Sequence, residues 1–156
     1  MKIAEVIIRD PRQGALPLEG GHYQAPITSK QIAAWRSQMC AVAQEVYNEW
    51  DQSDAEYGDP ELGFGGICDR IAEAIGNIIA RHGVDTATIG ADDHASLAAN
   101  LADGVFEIDI PPHVYETGGW YNWKKRPDVV FRPADVMITR IERPMSPEEF
   151  EEHFHD

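Results

Sequence analysis

The sequence predicts a single α+β domain over residues 1–156, and three observations carry that expectation. Two stretches repeat apolar residues at helical spacing, the residues after them switch to short β-like runs closed by turn signals, and the elements run strand, helix, helix, then antiparallel strands. With 43% hydrophobic residues the chain can bury a core, which argues against wholesale disorder.

The first element is a short strand from Lys2 to Arg9, carrying Val6, Ile7 and Ile8 and ended by Pro11. Residues 10 to 27 hold three prolines and three glycines and read as loop. Thr28 with Gln31 three residues on is a capping-box signature, each side chain able to satisfy a backbone N–H at a helix start. Ile32, Trp35, Met39, Val42, Val46 and Trp50 then recur at three- and four-residue steps, predicting one amphipathic helix of about five or six turns. After an acidic and then glycine-rich stretch, a second helix is expected from about Ile67 to His82. Gly83 stands where a left-handed helix exit is normally needed. His94–Ala99 and Val105–Ile110 read as paired strands around a turn at Asp103-Gly104, and Pro111-Pro112 ends the second. A last strand is expected at Asp135–Ile141, before an acidic tail over residues 146–156 whose Ser146-Pro147-Glu148-Glu149 has the form of a helix start.

Thirteen Lys and Arg against 27 Asp and Glu leave a net charge of −14, a field that repels phosphate backbones and makes nucleic acid a poor partner. No apolar run approaches the roughly 18–20 residues of a membrane span, and the start lacks the pattern of a secretory signal. Two cysteines build no disulfide framework, so a cytoplasmic protein with reduced thiols is expected. Asp92, Asp93, His94 and His113 match no standard zinc spacing; neither a metal nor any other cofactor is expected.

The two thiols differ in setting. Cys40 lies inside the first helix and reads as a small buried hydrophobe. Cys68 follows Gly65-Gly66 at the expected start of the second helix, where unpaired N–H groups favour thiolate and could receive an oxyanion. The glycines let a substrate carbonyl approach the sulfur. His94 and Asp109 share a face of the expected hairpin. A loop over Asn100–Asp103 sets them opposite one another, whereas a tight turn at Asp103-Gly104 pairs 98 with 109 and separates them by roughly 13 Å. A facing carboxylate would fix the imidazole's tautomer, as a general base beside a thiol requires. Trp120, Tyr121 and Trp123, in an aromatic glycine-rich segment, read as a wall of the same cleft.

Gly66-Ile67-Cys68-Asp69, Arg81-His82-Gly83-Val84, His94-Ala95 and Ile108-Asp109-Ile110-Pro111, in that order, resemble the transglutaminase-like branch of the papain-like cysteine hydrolase superfamily. The resemblance covers about residues 63–112. It implies a nucleophile helix packed on an antiparallel sheet and a Cys68–His94–Asp109 triad, with Gly65, Gly66, Trp120, Tyr121 and Trp123 binding substrate. Ser96 stands where family members often carry tryptophan, and Gln44, Trp50 and Gln52 are the candidates for the upstream oxyanion partner. The expectation is thiol-dependent acyl chemistry on an amide, most simply a small cysteine peptidase or amidase acting on a peptide or protein. The alternative is a non-enzymatic acidic binding or inhibitor protein on a degenerate hydrolase scaffold.

Overall fold

Hydrophobic side chains on both faces of one sheet organise the molecule. The structure is a computed structural model describing residues 27–50, 64–90, 94–114 and 128–154. The strand expected at Lys2–Arg9, nearly all of the loop after it and the segment holding Trp120, Tyr121 and Trp123 lie outside the described residues.

Helix α1 (Ser29–Ala33) opens with the expected capping box: the Gln31 N–H donates to the Thr28 hydroxyl while the Gln31 side chain accepts from the Thr28 N–H. The single long helix divides in two. A tighter turn at Ala34–Trp35, in which the Trp35 N–H bonds to the Ile32 carbonyl, separates α1 from α2 (Arg36–Glu49). The turn sets the Trp35 ring against His82, with centroids 5.9 Å apart. Helix α3 (Phe64–Ala80) begins three residues earlier than expected. It leaves through Gly83, whose φ of 81° is the left-handed exit conformation.

The strands are β1 (Asp85–Ile89), β2 (Ala95–Leu101), β3 (Gly104–Ile110) and β6 (Met137–Glu142), forming an antiparallel sheet in the order β1-β2-β3-β6. Between the last two, β4 (His113–Val114) and β5 (Val129–Val130) pair separately. Strand β1 was not expected, because Asp85-Thr86-Ala87-Thr88-Ile89 carries a single large hydrophobe; its β-branched threonines suit an edge strand. The last strand starts two residues later than expected, because Pro133–Asp135 form a 3-10 turn.

Alternation sorts the side chains into two layers. Ala95, Leu97, Ala99 and Leu101 of β2, with Phe106, Ile108 and Ile110 of β3, join the main core under α2 and α3. Ala87, Ala98 and Val105 point the other way and receive Phe150 of α4 (Pro147–Phe154). The residues expected to form an acidic tail thus include a docked helix with its own capping box: the Glu149 N–H bonds to the Ser146 hydroxyl and the Ser146 N–H to the Glu149 carboxylate. Asn100 fixes the approach to this helix, its amide donating to the Met145 carbonyl at 2.7 Å and accepting from the Met145 N–H at 3.1 Å. Every residue of β2 is buried. Among the described residues no helix is long and apolar enough to cross a membrane.

Candidate active site

The β2–β3 turn takes neither of the two forms weighed from sequence. Leu101 pairs with Gly104 around a two-residue turn, Ala102-Asp103, and this sets Ser96 opposite Asp109. His94 precedes the first strand residue and therefore reaches Asp109 on the diagonal rather than straight across. Its Nε2 lies 3.0 Å from Asp109 Oδ1, with both side chains partly exposed. One rung further in, the Ser96 hydroxyl makes the matching diagonal bond to Glu107 Oε1 at 3.1 Å. This second pair escaped sequence reasoning, although the alternation of Ser96, Glu107 and Asp109 on one face carried the signal.

The spacing along α3 and β1 directs Cys68 towards the same end of the sheet. Helix α3 runs back along β1, and the Thr86 hydroxyl bonds to the Gly76 carbonyl at 3.3 Å. Eight helical residues from Gly76 to Cys68 span about 12 Å, and four strand residues from Thr86 to Gly90 span about 13 Å. Thr86 pairs with Ala99, so the same step along β2 ends at Ala95, next to His94. Cys68, Ala95 and Ile110 are all buried in the main core.

Two features differ from the sequence expectation. Because α3 begins at Phe64, Gly65 and Gly66 are its second and third residues and Cys68 its fifth. Helical geometry commits the Cys68 N–H to the carbonyl one turn back, so that N–H is not an oxyanion donor. The helix dipole also acts on Cys68 from beyond the first turn, where it has fallen off. Second, Asp109 projects from the face it shares with Ser96 and Ala98, whereas Cys68 belongs to the layer on the opposite face. His94 lies one residue ahead of β2, whose first residue is Ala95.

Cys68 is 1% exposed and Cys40 5%. Burial, with a smaller contribution from Asp135, pushes the Cys40 thiol up to about 11, which makes it inert at neutral pH. Asp69, beside Cys68, is raised above the ordinary carboxylate range by burial and then by Glu73 one turn on.

The proposed oxyanion partners resolve unevenly. Gln44 serves structure, accepting from the Phe131 N–H at 3.1 Å and donating to Asn48 and to the Val129 carbonyl, which ties α2 to β5. Trp50 is buried against Tyr47 at the end of α2, and Gln52 lies outside the described residues. No group of three or more metal-ligating side chains forms among the described residues. Compared with known proteins, the chain matches no family model, no curated protein and no solved structure.

Proposed function

We propose that the protein performs thiol-dependent acyl chemistry on an amide, with Cys68 as nucleophile, His94 as base and then acid, and Asp109 orienting the imidazole. The observation that carries this reading is the 3.0 Å contact between His94 Nε2 and Asp109 Oδ1. With Nε2 committed to the carboxylate, Nδ1 is the nitrogen that would exchange a proton with the thiol. In the first half-reaction the Cys68 thiolate would attack the amide carbon, and His94 would return the proton to the departing amine. In the second, water would attack the thioester with His94 again as base. The run of α3 along β1, which leads from Gly76 towards the end of the sheet at which β2 begins, supports the same assignment.

The test is the rate of iodoacetamide alkylation across pH, with peptide mapping of the two cysteines. Cys40, at about 11, holds about one part in ten thousand as thiolate at pH 7. Cys68 should react at least about 10-fold faster near neutral pH, and His94→Ala should remove most of that advantage. A Cys68→Ala variant should retain its fold and lose peptide hydrolysis. Equal alkylation of the two cysteines, or a Cys68 rate indifferent to His94, overturns the assignment.

A second reading has its own observation. Cys68 is almost wholly enclosed, and its N–H is spent inside the helix, as in a structural cysteine. A scaffold of this kind with a net charge of −14 would serve as an acidic binding module for a basic protein. That reading requires binding that weakens steeply with added salt, and no preferential alkylation of Cys68.

A further inference from the structure

We infer that Ser96 and Glu107 are positioning residues for the His94–Asp109 pair: Glu107 takes the Ser96 hydroxyl and so leaves the Asp109 carboxylate to the imidazole. The register sets Ser96 directly opposite Asp109, yet its hydroxyl donates on the diagonal, to Glu107 Oε1 at 3.1 Å. Opposed Cβ atoms of an antiparallel pair lie about 4.5–5.5 Å apart, so both carboxylates come within range of one hydroxyl. Ser96 is 1% exposed, which makes its hydroxyl depend on a protein acceptor, and it has a single proton to give. Two carboxylates thus compete for one donor, and Glu107 holds it while Asp109 Oδ1 meets His94 Nε2 at 3.0 Å.

The arrangement matters because a hydroxyl turned on Asp109 would take up part of that carboxylate's charge. The hold on the imidazolium would weaken, and His94 would shed its proton at a lower pH. The neighbouring strands add no charge beside the pair: β1 sets Ile89 opposite Ser96, while β6 sets Met137 opposite Asp109 and Thr139 opposite Glu107. Helix α4 lies on the same face through Phe150, and its Glu148, Glu149, Glu151, Glu152 and His153 are all exposed. Asp69 and Glu73 of α3 are exposed as well. Among the described residues of these elements, Glu107 and Asp109 are therefore the ionisable groups that set the charge state of His94.

The test is the pH midpoint of the His94 ring in the full chain, followed by NMR. His94 is one of six histidines, and its resonance is identified by its loss in His94→Gln. Glu107→Gln and Glu107→Leu remove the same charge, but only the first keeps an acceptor for Ser96. The midpoint should lie at least about half a pH unit lower in Glu107→Leu than in Glu107→Gln, and adding Ser96→Ala to Glu107→Leu should abolish the difference. Ser96→Ala alone, which removes no charge and no bond to Asp109, should leave the parent midpoint where it is, and this variant answers the question if leucine disturbs β3. Equal midpoints in the two Glu107 variants, a difference that survives Ser96→Ala, or a shifted midpoint in Ser96→Ala alone overturns the proposal. The bearing on catalysis rests on the reading of His94 as base, under which the acid limb of the kcat/KM profile should move down with the midpoint. The titration itself does not involve Cys68, so a chain without amidase activity that shows this pattern keeps the positioning and fails only the acyl chemistry.

Discussion

Asp103 ties the tip of the β2–β3 hairpin to the first helix. Its carboxylate accepts from both the hydroxyl and the N–H of Ser29, 74 residues away in sequence. Burial works to raise this carboxyl, but the two Ser29 bonds, together with the nearby Arg140, outweigh it and hold the group below the ordinary carboxylate range. The stabilisation is therefore complete above the unfolded value of about 3.9 and is lost as pH falls below it through the depressed folded value. Asp103→Ala should cost about 1 kcal/mol at neutral pH, and the gap from the parent should narrow as pH falls towards 3, which thermal unfolding at a series of pH values would measure. At this scale the sequence was legible where chemistry is local. The Thr28–Gln31 capping box and the Gly83 exit follow from short spacings. The Ser29–Asp103 tie was not legible, since nothing local links an exposed turn aspartate to a helix seven tens of residues before it.

Among the elements, α4 shows how little holds a short C-terminal helix in place. Phe150 supplies the apolar anchor on Ala87, Ala98 and Val105, and the Asn100 side chain bonds the Met145 backbone in both directions, as a neighbouring strand would. Asn100→Leu would bury the Met145 N–H and carbonyl without partners, at about 2–3 kcal/mol. Hydrogen exchange should then rise over residues 143–154 while β2 and β3 keep their protection; unchanged exchange in the helix would show that Phe150 alone secures it. Element boundaries were the least legible feature. Phe64, Gly65 and Gly66 give no sign that the helix begins before Ile67, because glycine ordinarily argues for loop. The helix nonetheless forms there, and this displaces Cys68 from the first turn, where its chemistry would be most favoured.

For the molecule as a whole, the α+β class and the antiparallel hairpin were readable from the change of apolar period along the chain. The two-layer packing was not, because small residues fill β2 on both sides. Ala95, Ala98 and Ala99 give no alternation between apolar and polar from which a solvent face could be inferred. The hairpin register was likewise undetermined, since turns at different positions satisfy the same run of residues. The two-residue turn at Ala102-Asp103 has a consequence that reaches the other end of the ladder. Removing one residue from so short a reversal would either strain it or slide β3 by one position, turning Phe106, Ile108 and Ile110 out of the core. The alignment of positions 94 and 109 is thus inherited from the packing of the interior. Changes of side chain at either position would accordingly be expected to leave the two sites adjacent.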